Sequence, residues 1–201
     1  MFKILIVIGL IGFILYFVSK KISGFTSSTP TVVRRNQYLL LRAGVGRISK
    51  ISNMAIANAG AGFLLLIIIL ALAIKIKILL ILLPISLYLI GQLFVLTNHI
   101  RASKDKEVWY DPDTSDFIIE FINEQSYRFN LLRDVIAVQQ VESIQKTKGL
   151  SFGYYRLTTS ERVIEIPYIL FDENSRPSKL LTDTISANFR IEVNKKLFPI
   201  I

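Results

Sequence analysis

No aspartate or glutamate occurs in the first 97 residues, and the three long apolar runs of the chain all lie within them. Ten of the 24 Lys and Arg residues share that stretch, whereas all 15 acids follow His99. A water-soluble surface needs more charge than this, for 52% of the chain is hydrophobic and only 19% charged. Part of the first half must therefore face lipid, and the two halves are separate folding problems. The net charge of +9 is a property of the apolar half. The rest is nearly neutral, so the pI near 9.8 does not mark a nucleic-acid-binding surface, which would concentrate basic residues on a soluble fold. With no cysteine in the chain, disulfides, thiol catalysis and cysteine-held metals are excluded.

Residues 4–18, ILIVIGLIGFILYFV, lie between Lys3 and the pair Lys20 and Lys21, close to the roughly 17-residue lower limit of a spanning helix. No small-x-small cleavage site follows, and two lysines stand where cleavage would fall, which favours a retained helix over 1–19 rather than a secretory signal. Two further runs cover 54–74 and 78–97, with Lys75 and Lys77 between them. A single helix through both would exceed the ~30 Å hydrocarbon core and strand two lysines inside it. The spacing instead predicts a helical hairpin over 54–97 with the lysines at its tip. Seven basic residues lie in the connector 20–53 and two at the tip, so the excess of Lys and Arg puts the connector in the cytoplasm. Three crossings then leave the N-terminus outside and residues 98–201 in the cytoplasm.

Leu41, Val45 and Ile48 recur at helical spacing while Arg42, Arg47 and Lys50 fall on the other arc, a pattern that predicts a helix lying on the membrane surface. Together with Arg34 and Arg35, those basic heads are the candidate contacts to anionic lipid, at roughly 1 kcal/mol each. A plain topology signal is the competing reading. On the second run Ala55, Ala59 and Gly62 form a face of small residues on which a helix can approach closely. Packing within the chain is the first expectation there, and a homo-oligomer the second.

Beyond residue 107 the pattern changes to short alternating runs separated by turn residues, which predicts antiparallel strands at 107–110, 117–122, 126–130, 135–142, 152–158 and 163–166. Asp111, Pro112, Asp113 and Thr114 supply the first turn. Pro177 suits the first turn of a final helix, whose apolar stripe would be Leu181, Ile185, Phe189 and Val193.

Three places carry a resemblance to a known family: 109–121 as an opening hairpin, YRFNLLRDVIAVQQVE (127–142) as strand, polar corner and strand, and YYRLTTSERVIEIPYILFD (154–172) followed by the last helix. In this order the chain resembles the bacterial membrane-anchored pleckstrin-homology-like domains, over about residues 107–197. The resemblance implies an α+β soluble domain, an antiparallel β-sandwich or barrel capped by a C-terminal helix, of the kind found after paired membrane helices; with the three spans read from the apolar runs, the expected location is the bacterial inner membrane. Lipid-binding members of the wider fold place basic residues around the first hairpin. This hairpin carries Asp111, Asp113 and Asp116, whose charge would repel a phosphorylated headgroup.

Catalytic constellations are scarce. His99 is the only histidine and, beside the end of the third run, reads as a solvated flank residue. Acid pairs such as Asp111 with Asp113 and Asp172 with Glu173 sit in turns, where such residues bond locally. Phosphate-loop, dinucleotide-binding, zinc-protease and nucleophile-elbow motifs are missing from the sequence. The expectation is a non-enzymatic scaffold without cofactor or metal, contacting membrane lipids and binding a protein or peptide at the cytoplasmic face, with no nucleic-acid partner. A subunit of an oligomeric channel or transporter is the alternative, although no ionisable residue falls inside the three spans.

Overall fold

A computed structural model describes residues 12, 16, 34–43, 45–72, 76–122, 124–144, 152–172 and 175–201. The chain divides into two compact units, one drawn from Met1–Ser28 and Ile48–Leu96, the other from Thr29–Arg47 and Thr97–Ile201. The expected first membrane helix lies outside the described residues apart from Gly12 and Tyr16, both helical.

Most of helix α1 (Val45–Leu72) and of helix α2 (Leu83–Lys104) belongs to the first unit, while the start of α1 up to Arg47 and the end of α2 from Thr97 belong to the second. Both stretches, Gly46–Leu72 and Lys77–Lys104 counting the 3-10 segment ahead of α2, are long and apolar enough to cross a membrane. At ~1.5 Å per residue α1 exceeds the ~30 Å hydrocarbon thickness. Pro84 does not bend α2 in its middle, as a proline in a span often does. It sits in the first turn of α2, where its missing N–H requires no partner. The chain before it tightens into the 3-10 segment Lys77–Leu82, with Leu83 N–H donating to Leu80 O. Among the small residues, Ala55 and Ala59 are fully buried and Gly62 is buried as well. Gly62 lies against Ser86, Leu89 and Ile90 of α2, and Ser86 Oγ donates to Gly62 O at 2.8 Å.

The second unit is α+β, with two sheets. In the first, β1 (Arg34–Arg35), β2 (Tyr38–Leu41), β3 (Lys106–Tyr110), β4 (Asp116–Phe121) and β5 (Tyr127–Asn130) run antiparallel in chain order. The second holds β6 (Val135–Ser143), β7 (Gly153–Thr159), β8 (Val163–Pro167) and β9 (Glu192–Lys196) in the order β8-β7-β6-β9. It is antiparallel except where β9 pairs parallel to β6. A single helical turn, α3 (Leu131–Asp134), joins β5 to β6, and α4 (Arg176–Asn188) precedes β9. Tyr110, Phe117, Ile119, Tyr154, Leu157, Ile166, Leu181 and Ile185 are each under 2% exposed and form the core. Burial of such side chains contributes ~1.5–3 kcal/mol each before entropy is set against it.

Two expectations are corrected. The surface helix through Leu41, Val45 and Ile48 does not form. Leu41 ends β2, paired opposite Val108, while Val45 opens α1. Strands β1 and β2 turn through Asn36, at φ 56°, a conformation that asparagine tolerates, and β2 satisfies the edge of β3 that would otherwise be bare. Residues 34–41 of the connector thus belong to the first sheet, and α1 and α2 are an insertion between the neighbouring strands β2 and β3. Likewise the last helix stops early. Phe189 is already extended, and Val193 lies on β9 at 52% exposure. Leu181 and Ile185 are fully buried, so a further turn would add little to the stripe, whereas β9 gains a ladder of bonds to β6.

Candidate interaction surface

The five basic residues singled out above fall on β1, on α1 and on the link between β2 and α1. Arg34 and Arg35 lie on β1, and Arg35 Nη1 is bound to Glu120 Oε1 on β4 at 2.7 Å. Arg42 and Lys50 are exposed, and Arg47 is half-buried in the first turns of α1.

The acidic hairpin turn is a locked corner. Asp111, fully buried, accepts the Asp113 backbone N–H at 3.0 Å and the Thr114 hydroxyl at 2.7 Å. Asn130 caps α3, its Oδ1 accepting the N–H groups of Leu132 and Arg133 at 3.0 Å each. Its amide nitrogen donates to Asp116 Oδ1 and Thr114 O, while Asp134 Oδ2 accepts the Asn130 N–H at 2.7 Å. Bonds from Arg133 and from that N–H hold the Asp134 carboxyl below its ordinary value. The carboxylates of Asp111, Asp116 and Asp134 are therefore engaged in holding this corner together. Among the described residues no three His, Asp or Glu side chains form a group able to hold a metal ion.

His99 does not behave as a solvated flank residue. It is 1% exposed, its Nε2 lies 2.7 Å from Pro199 O, and its ring packs near Phe152 and Tyr154. The neighbouring Asn98 grips the backbone of Ile201 twice, Nδ2 donating to Ile201 O at 3.0 Å and Oδ1 accepting from Ile201 N at 2.8 Å. The hundred-residue separation of these partners is why sequence spacing gave no sign of them.

The sheet edges differ in how they are closed. Thr159 N–H donates to Arg162 O at the β7–β8 turn, so alternate residues of β8, Val163 and Glu165, direct their peptide groups away from β7. Lys106 Nζ donates to the outward carbonyl of Glu165. Burial lowers the Lys106 ammonium pKa from its ordinary value, against the raising effect of the Glu165 and Asp105 charges. Beside it Arg162 stacks on Phe121 and Tyr127, with its guanidinium carbon 4.7 and 5.3 Å from the ring centres. That edge is thus occupied at Glu165, in the way natural sheets often protect an edge, while Val163 at its start stays exposed. β1 is only two residues long, and β5 turns at once into α3.

β9 is the exception. Ile144 N–H donates to Lys196 O, so Lys196, Asn194 and Glu192 turn their peptide groups toward β6. Those of Val193 and Lys195 point outward, and the side chains of both residues are exposed on one face. The sequence holds a faint signal for this edge: EVNKK is polar and alternating, but the helical spacing that ends at Val193 masks it.

Compared with known proteins, the chain matches no family model, no curated protein and no solved structure.

Proposed function

We propose that this chain is a non-enzymatic membrane scaffold of the bacterial inner membrane, and that its pleckstrin-homology-like cytoplasmic domain takes up an extended segment of a partner protein along β9. The single observation that carries the reading is the outward backbone of Val193 and Lys195 on the edge strand β9. An added strand would find two donors and two acceptors there, the main-chain basis of strand addition. Its side chains would meet the exposed Val193 and the Lys195 ammonium on one face, which suits an apolar residue followed two positions on by an acidic one.

Two apolar helices support the membrane part of the proposal, with residues 1–19 as a third crossing. Because β2 pairs with β3, the chain leaves and rejoins the same sheet around the helical insertion, which suits an even number of crossings between them. The seven basic residues of 20–53 favour the cytoplasm for that side. The channel reading drew on the small-residue face of α1, and Gly62 of that face is already occupied by α2. No observation favours it over the scaffold.

A photo-crosslinking side chain at Lys195 in the intact chain, in its native membrane, tests the proposal. We expect crosslinks to one short extended segment of a partner, above those from the exposed control Val163, and their loss on Val193→Pro, which removes an outward N–H that β6 does not use. Crosslinks no stronger than those from Val163, or unaffected by the proline, would refute it.

A further inference from the structure

Leu197, Phe198 and Ile200 are 57%, 37% and 55% exposed, three large apolar side chains within four residues. A soluble surface has no reason to hold such a cluster rigidly, since order costs entropy and the exposed apolar area gains nothing in water. Yet this tail is tied down. Asn98 makes two bonds to Ile201, His99 meets Pro199 O, and both residues belong to α2 directly after Leu96 and Thr97, where its apolar stretch ends. Pro199 and Ile201 are therefore held beside the helix just past the point where that stretch ends. Arg101, which pairs with Asp105, and Lys104 follow on the same helix, and Lys196 directly precedes the tail, so basic residues flank both apolar stretches in the chain. Apolar side chains at the boundary of a span, bordered by Lys and Arg, suit the headgroup and upper acyl region of a bilayer.

We infer that residues 197–200 are a membrane-contacting foot, seated in the interfacial layer of the bilayer that α1 and α2 cross, with Asn98 and His99 as the residues that position it. The inference rests on those helices being embedded in lipid. It does not depend on β9 binding a partner. The foot would place the domain against the bilayer and set β9, which runs directly into it, beside the membrane surface.

The lack of cysteine makes site-directed spin labelling direct. Full-length Leu197→Cys and Ile200→Cys variants, each labelled, would be reconstituted in phosphatidylethanolamine and phosphatidylglycerol vesicles. Collisions with oxygen, which partitions into lipid, would be compared with those of a water-soluble nickel chelate. Labels at Phe94→Cys on α2 and Val163→Cys on β8 serve as lipid and water references. The expected result is an oxygen-to-nickel ratio at 197 and 200 several-fold above that at 163 and approaching that at 94. Adding Asn98→Ala should return the label at 200 toward the aqueous value. Aqueous ratios at 197 and 200 with a lipid-like ratio at 94 would overturn the foot and leave the spans standing, whereas an aqueous ratio at 94 would overturn both. Labels at 197 and 200 shielded from both reagents would mean a protein surface or a second copy covers the tail, and would also overturn it.

Discussion

Replacing Gly62 with alanine tests how closely the two described helices pack. An added Cβ would lie 2.8 Å from Leu89 Cβ, 2.9 Å from Ser86 O and 3.0 Å from Ile90 N. Two of these are backbone atoms that no rotamer change can move, so the helices themselves must part. Overpacking of this kind costs about 1–3 kcal/mol. The Ser86 Oγ bond to Gly62 O, 2.8 Å long, would stretch with it, and such bonds are worth about 0.6 kcal/mol on average between membrane helices. Against this, alanine in a helix gains about 0.5–1 kcal/mol over glycine. The expected net loss is about 1–2 kcal/mol. Gly60→Ala is the internal control, because its added Cβ would find nothing within 4 Å, and only the helix gain remains. Ser86→Ala isolates the hydrogen bond at about 0.6 kcal/mol. The assay is unfolding of the purified chain in mixed micelles by increasing dodecyl sulfate, followed by loss of ellipticity. Equal midpoints for Gly62→Ala and Gly60→Ala would refute the close packing.

Two further outcomes follow from the domain. Asn130→Ala removes the cap of α3 and two bonds that hold Thr114 and Asp116, and should lower thermal stability by about 2 kcal/mol. Asn130→Asp should be at least as harmful at neutral pH, since it sets a third carboxylate beside Asp116 and Asp134, and should recover as the pH falls below about 4; an acid-independent melting difference between the two variants would contradict this. At alkaline pH, burial beside Glu142 raises the pKa of Tyr155, and burial together with the Tyr155 and Glu142 charges raises that of Tyr168. A raised folded-state value means that their contribution is complete below the ordinary 10.0 and is lost as pH climbs above it. Lys106 works the other way, because a lowered folded-state value makes stability grow as the pH approaches the ordinary 10.5. Tyr168→Phe should therefore flatten the fall of melting temperature between pH 10 and 12, whereas Lys106→Met should remove a rise that ends by the ordinary 10.5, and curves parallel to that of the unaltered chain would show these groups to be uncoupled from folding.

Local pattern was enough for much of this molecule. The apolar lengths of 54–74 and 78–97 announce two membrane-length helices, since in lipid a backbone can satisfy itself only by forming a helix or a closed barrel. Alternation with a period of two announced β3 to β8 within a residue or two at most ends, and the Asp-rich turn announced the corner that Asn130 and Asp134 complete. Each of these signals resides in neighbouring residues and depends on nothing distant.

What remained hidden was decided by partners far apart in the chain. Arg34 to Leu41 became strands because β3 offered an unpaired edge, with Leu41 opposite Val108. Val193, helical by its spacing, became part of β9 because β6 offered another, with Val193 opposite Gln140. His99 and Asn98 acquired their roles only when residues 199 and 201 came within hydrogen-bond distance. The physical reason is the same in each case. A hydrophobic period records which side of an element avoids water, whereas an open peptide group at a sheet edge or a helix exit is satisfied by whatever segment the completed fold brings to it.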